Sequence, residues 1–264
     1  MSTPTPNCKC NRNGFIGAAI LLFSPVFSTA DGDSSFDKLT CTSRPNTVPN
    51  PYPNPDATAP DFFTVEFPTT ASTEPIIMEV NRSWAPLGVD RFYALVQDNY
   101  YDCAAFFRVV PDFVVQFGIA SEPEESLKWN TTIPDDPVLM SNLYGTISYA
   151  TAGPDTRTTQ LFINSANNSR LDADGFAPVG RVISGMDTVL ALYNPTPNST
   201  DGLDQDEYMA GGNAWILSNS SEVDLIEPTS KVEVSSSSRR HGNGVSKAWL
   251  VFSVGLLAVQ SFLG

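Results

Sequence analysis

The chain has 264 residues and a formal net charge of −14, from 15 basic and 29 acidic side chains, which is ample for one well-buried domain. All 29 acids but only ten of the basic residues fall between residues 31 and 237, which argues against nucleic acid or anionic lipid as a partner of that region. The single histidine is His241, near the C-terminus, and no phosphate-binding glycine loop is present, so histidine-dependent triads, the usual zinc sites and nucleotide chemistry drop out for the rest of the chain.

Residues 1–30 hold Lys9 and Arg12, an apolar run from Phe15 to Phe27, and then Ser28, Thr29 and Ala30. This pattern predicts a secretory signal peptide cut after Ala30; the alternative is a membrane anchor, against which stand the short run and Pro25. Residues 31–60 are rich in Pro, Asn, Thr and Asp and are expected to form an extended arm, because repeated proline forbids regular structure. Residues 61–234 read as one globular domain. Residues 235–247 read as a polar spacer, and residues 248–264 as an uncharged apolar tail. Small residues, spacer and tail form the pattern of a lipid-anchor attachment signal at Ser236, Ser237 or Ser238, or else Asn243 or Gly244. A retained membrane helix is the alternative.

Five Asn-X-Ser/Thr sequons, at Asn81, Asn130, Asn167, Asn198 and Asn219, fit passage through the secretory route. Cys8 and Cys10 leave with the predicted signal peptide, so a disulfide between Cys41 and Cys103 is expected, with two unpaired thiols as the alternative. It would pin the arm to the domain.

Within the domain, β-branched and aromatic runs bounded by turn residues predict strands at Phe62–Phe67, Ile76–Val80, Ala105–Val109, Val114–Phe117, Thr146–Ala150, Leu161–Asn164 and Pro178–Ile183, with Trp215–Leu217 closing the set. Pro86 followed by Val89, Phe92, Leu95 and Val96 at helical spacing predicts a helix over 86–99, and Met186, Val189, Leu190 and Tyr193 predict a second over 185–193. Such a mostly-β pattern suits either a sandwich or a closed eight-stranded antiparallel β-barrel capped by two α-helices.

Three blocks carry a more specific signal. Phe106–Gly118 (FFRVVPDFVVQFG) resembles the cyclophilin pattern F-H-R-V-I-P-x-F-M-x-Q-x-G. Gly145–Thr156 with Thr159–Ile163 resembles G-x-x-S-M-A-x-A-G-P-x-T-x-x-S-Q-F-F-I. Leu171-Asp172 with Phe176–Met186 resembles the L-D…F-G-x-V-x-x-G-M block. The chain is therefore similar to cyclophilin-type peptidyl-prolyl isomerases over roughly residues 62–234, and the resemblance implies the barrel.

It also implies the chemistry. Amide resonance sets a barrier of about 20 kcal/mol to X-Pro rotation, and a site lowers it by holding the twisted amide better than the planar one. The resemblance places the catalytic guanidinium at Arg108, whose alternative reading is a strand arginine that faces solvent or pairs with an acid such as Asp112. It places the proline pocket at Phe113, Val114, Phe162 and Leu171, the substrate-backbone partner at Gln116, a small groove residue at Ala150 and flanking groove residues at Thr156 and Gln160. No cofactor or metal is implied. The partners implied are proline-containing proteins or peptides met in the secretory route or at the cell surface, where the isomerase would assist folding. Nucleic acid is not among them, and the chain is expected to be monomeric and to touch membrane only through its anchor. A weakly catalytic module that binds proline-containing peptides, or a surface scaffold, is the rival reading. Three positions depart from the family pattern. Phe107 replaces a histidine beside the arginine, Arg170 replaces the tryptophan before Leu-Asp, and one extra residue stands between Asp172 and Gly180. Gly175 or Phe176 is expected to fill the place of a pocket histidine.

Overall fold

The computed structural model describes Cys41, residues 54–228 and residues 231–234. The predicted signal peptide at 1–30, most of the arm at 31–60, the spacer at 235–247 and the tail at 248–264 lie outside the described residues. No helix among the described residues is long and apolar enough to cross a membrane.

The N-terminal hairpin shows how the sequence builds the sheet. Strand β1 (Phe62–Thr69) alternates strictly, with Phe63, Val65 and Phe67 buried, and β2 (Ser72–Asn81) answers with Ile76, Met78 and Val80. Phe67 lies opposite Ile76 and Val65 opposite Met78, so both apolar rows face one core. Helix α1 (Pro86–Gln97) begins at the proline, where the missing N–H is no loss, and buries Val89, Phe92, Leu95 and Val96 on that core. The remaining strands are β3 (Arg108–Val110), β4 (Val114–Phe117), β5 (Thr146–Tyr149), β6 (Leu161–Asn164), β7 (Pro178–Ser184) and β8 (Lys231–Val234). Every pairing is antiparallel, in the order β3-β4-β6-β5-β7-β2-β1-β8.

The sheet corrects the expectation of a closed eight-stranded barrel. Strands β1 to β7 wrap the core, β8 pairs along the outer edge of β1, and no ladder joins β3 to β8 among the described residues. Residues 223–227 run between the edge of β1 and the approach to β3, but they make single bridges there rather than a strand. Ile226 faces Thr69 and Leu225 faces Ala105. Thr70 donates to the Leu225 carbonyl at 3.0 Å and Cys103 to the Ile226 carbonyl at 2.8 Å. The gap is therefore stitched by isolated backbone bonds and the sheet stays open.

Four α-helices, rather than two, stand among the described residues. The two expected helices are α1 and α3 (Met186–Ala191). Helix α2 (Pro123–Lys128) is a short turn in the long connection between β4 and β5. Helix α4 (Gln205–Asn219) contains Trp215–Leu217, which was expected to be a strand. Asp204 caps it, its side chain accepting from the N–H groups of Asp206 and Glu207 at 3.0 Å. Gly212 then kinks it at φ 56°, where a Cβ would lie 2.4 Å from the Ser121 carbonyl oxygen.

Three apolar clusters result, the smallest of them Val114, Phe162 and Leu171 on the outer face of the sheet. The main one lies inside the sheet, where Phe67, Phe92, Tyr101 and Phe117 meet edge-on or tilted at centroid separations of 5.7 to 6.4 Å. The second lies beneath α4 and gathers Cys41, Cys103, Phe107, Tyr208, Ile216, Val223 and Leu225. Cys41 and Cys103 form a disulfide here, 62 residues apart with Cα atoms 5.5 Å apart. The buried Asn213 amide donates to the carbonyls of both cysteines, at 3.0 and 2.9 Å, and so ties α4 to the bridge.

Candidate active site

The alternation that fills the core also builds the outer face of the same strands. Val109, Val115, Phe117, Leu161 and Ile163 point into the sheet. Their neighbours Arg108, Val114, Gln116 and Phe162 must then point out. Register sets these in a row across three strands. Arg108 is opposite Gln116, and Gln116 is opposite Phe162.

All nine side chains singled out in the sequence line one cavity of about 670 Å³: Arg108, Phe113, Val114, Gln116, Ala150, Thr156, Gln160, Phe162 and Leu171. Its floor is apolar, with Val114, Phe162 and Leu171 buried and Phe113, Ala150 and Phe176 packed around them. Its lip is polar. The Arg108 guanidinium donates to Gln116 Oε1 at 2.9 Å, and Gln116 Nε2 donates to Gln160 Oε1 at 2.8 Å. On its other side, Arg108 Nε donates to the Thr200 carbonyl at 2.6 Å. The guanidinium also stands 5.7 Å from the centre of the Phe113 ring. Burial lowers its pKa and the nearby Asp201 opposes that shift, yet a guanidinium keeps its proton across ordinary pH. Thr156 lines the cavity by position, while its hydroxyl serves the turn, accepting from Ala152 N–H at 2.9 Å and donating to the Gly153 carbonyl at 2.7 Å.

Several contributors were not expected at the cavity from the sequence. Asn130, Thr132, Thr151, Thr158 and Gln205 also line the cavity, the last from the first turn of α4. A buried amide network fixes the pocket walls. Asn168 donates to the Phe113 carbonyl and to Asn164 Oδ1, both at 2.8 Å. Asn142 donates from its side chain to Asp172 Oδ1 at 2.8 Å and to the Phe176 carbonyl at 2.7 Å. Burial works to raise the Asp172 pKa, but donors from Ser141 and Asn142 win and hold the carboxyl below its usual range. The buried asparagines flank β5 and β6, and buried polar side chains near strand ends were the available signal.

The departures resolve as follows. Phe107 faces away from the cavity, fully buried against Tyr208 at 6.1 Å between ring centres. Phe176, rather than Gly175, enters the cavity and meets Phe162 edge-on at 5.5 Å. Arg170 lies over the Phe113 ring, 4.7 Å from its centre.

Comparison with known proteins decides the family. The family model described as cyclophilin type peptidyl-prolyl cis-trans isomerase/CLD matches residues 64–210. The chain belongs to the cyclophilin-type peptidyl-prolyl cis-trans isomerase family. Over 136 residues this cyclophilin is 35% identical to a peptidyl-prolyl cis-trans isomerase of Acinetobacter baylyi, covering 49% of this chain and 72% of that one. It is 33% identical over 150 residues to the isomerase cyp18 of Streptomyces antibioticus, covering 53% and 88%. A solved cyclophilin type isomerase of Cryptosporidium parvum superposes with a TM-score of 0.49 and 21% identity, over 66% of this chain and 98% of that one. The cyclophilin's activity is peptidyl-prolyl cis-trans isomerisation. No cluster of metal-ligating side chains occurs among the described residues.

Proposed function

We propose that Arg108 is the catalytic residue and that Phe113, Val114, Phe162 and Leu171 seat the substrate proline. The observation that carries this reading is the placement of one guanidinium at the lip of an apolar, residue-sized pocket. Rotation about an X-Pro bond moves the amide away from planarity and leaves a lone pair on the prolyl nitrogen. A fixed N–H donor aimed at that nitrogen stabilises the twisted state more than the planar one, which is the condition for acceleration. The ring is gripped while the rest of the chain turns. Gln116 orients the guanidinium and presents an amide to the substrate backbone, and Ala150 leaves room for the peptide to lie close. The step needs no nucleophile or general base. Replacing Phe113 by alanine tests the pocket: kcat/KM for a short X-Pro peptide falls at least tenfold, with the melting temperature held within a few degrees. Unchanged turnover removes Phe113 from the pocket.

We further propose that the enzyme acts on proteins of the secretory route, where it assists their folding, and that it is tethered at the cell surface by a C-terminal lipid. The signal-like residues 1–30, the tail at 248–264 and the disulfide of Cys41 with Cys103 support this reading. So does the exposure of Asn130, Asn167, Asn198 and Asn219; Asn81 is half-buried at the end of β2. Treating intact cells with a phospholipase that cuts such anchors releases the protein under this reading. Retention at the surface after treatment points instead to a membrane helix, and absence from the surface contradicts the localisation.

A further inference from the structure

Six arginines occur among the described residues, and what they pair with is informative. Arg82 pairs with Asp90 at 2.7 Å, Arg157 with Asp135 and Asp136 at 3.1 Å, and Arg181 with Glu79 at 3.1 Å. Arg91 is buried over the Trp129 ring. Arg108 and Arg170 alone are neither buried nor ion-paired to a carboxylate, in a chain where acids outnumber bases 29 to 15. Both stand over the same ring, that of Phe113, at 5.7 and 4.7 Å from its centre. The proposed role of Arg108 accounts for the first. The second has no function in the proline site as described.

Arg170 is nevertheless held in place. Its guanidinium donates to Asn168 Oδ1 at 3.2 Å. The orientation of that amide is set by the bonds from Asn168 Nδ2 to the Phe113 carbonyl and to Asn164. One contact to a neutral oxygen and one aromatic face leave most of the five guanidinium donors free and exposed. The pocket wall Leu171 is the next residue along the chain. Successive Cα atoms lie about 3.8 Å apart, so a residue one or two places from a seated proline passes within reach of this guanidinium. A carboxylate there would accept charge-assisted, bidentate hydrogen bonds.

We propose that Arg170 is a specificity-determining residue, selecting prolyl substrates with an Asp or Glu side chain within two residues of the proline. This rests on the proposed seating of proline against Phe113 and Leu171.

The test uses the intact protein and four pairs of short X-Pro peptides, each pair differing only by Glu against Gln, placed one or two residues before or after the proline. Isomerisation is measured for the parent and for Arg170→Gln at low and high salt. The parent is expected to favour one Glu peptide by roughly five- to tenfold in kcat/KM, with the preference shrinking at high salt. In Arg170→Gln the Glu:Gln ratio falls to about one. Equal use of Glu and Gln peptides by the parent overturns the proposal. So does an equal loss on both peptides in the variant with the ratio retained, which assigns Arg170 the merely structural task of propping Phe113. Absolute turnover of the neutral peptides reports separately on the proline site. Were that turnover absent, the Glu:Gln ratio of binding affinities, by fluorescence polarisation, decides the selectivity claim on the same criterion.

Discussion

Arg108 and Gln116 lie opposite one another on paired antiparallel strands, and the arginine donates to the glutamine side chain at 2.9 Å. Gln116 in turn donates to Gln160 at 2.8 Å. Two uncharged amides therefore restrain the guanidinium laterally without neutralising it. Arg108 keeps its charge for a substrate, whereas an aspartate partner would have satisfied it.

Gln116→Ala removes this restraint. A hydrogen bond to a charged group contributes about 1.5 kcal/mol, or roughly tenfold in rate. The loss is expected mainly in kcat, measured by exchange NMR on a short X-Pro peptide, with little change in melting temperature.

The loop 199–203 braces the same arginine from behind. Gly202 has a φ of 81°, and a Cβ there would sit 2.6 Å from the Arg108 Cβ. Neither the backbone conformation nor the space suits another residue. Gly202→Ala is expected to displace the loop, loosen the bond from Arg108 to the Thr200 carbonyl and cut kcat/KM by tenfold or more in a protein that still folds. Thr200→Ser preserves both the carbonyl and the Asn198 sequon and serves as the neutral control.

Among the cavity-lining residues Arg108 alone titrates. Its active form is protonated, and although burial lowers its pKa, a guanidinium keeps its proton across ordinary pH. On the acid side, Asp172 braces the Leu171 wall. Its folded-state pKa is depressed, so its contribution is complete above the unfolded value near 3.9 and lost as pH falls through the lower folded value. Between about pH 6 and 9, kcat/KM is therefore expected to be flat. A bell-shaped profile in that range would mean that another ionisable group takes part.

Much of this was legible in the sequence because it is local. β-branched and aromatic runs bounded by turn residues mark Phe62–Phe67 and Val114–Phe117 as strands, and the strand geometry that turns Val115 into the core turns Val114 and Gln116 the other way. The site residues fall in three short blocks, and register does the rest. What was not legible depends on distant backbone. Closure of the barrel would need residues 223–227 to form a ladder, and they make only single bridges. Helix α4 has no clean apolar stripe and is broken at Gly212, so Trp215–Leu217 read as a strand in isolation. The Thr200 carbonyl that holds Arg108 is backbone, so its side chain gave no signal.

The second cluster is predicted to govern stability rather than catalysis. Cys41→Ser removes a bridge closing a long loop, at a cost of about 3 kcal/mol. Asn213→Ala leaves the carbonyls of both cysteines without a shared donor and costs about 2 kcal/mol. Thermal unfolding is expected to shift down by several degrees in each variant, with kcat/KM at 10 °C within about twofold of the parent. A large kinetic loss in a folded variant would mean that this cluster reaches the cavity through Phe107 and Arg108.

The most direct test of the account is the isomerisation rate of a short X-Pro peptide with Arg108→Ala and Arg108→Lys beside the parent, each checked for an unchanged melting temperature. Loss of at least a hundredfold in kcat/KM for alanine, with lysine restoring little because it lacks the planar fork, is the predicted result. A folded Arg108→Ala protein that turns the peptide over within threefold of the parent would contradict the assignment of the guanidinium as the group that stabilises the twisted amide.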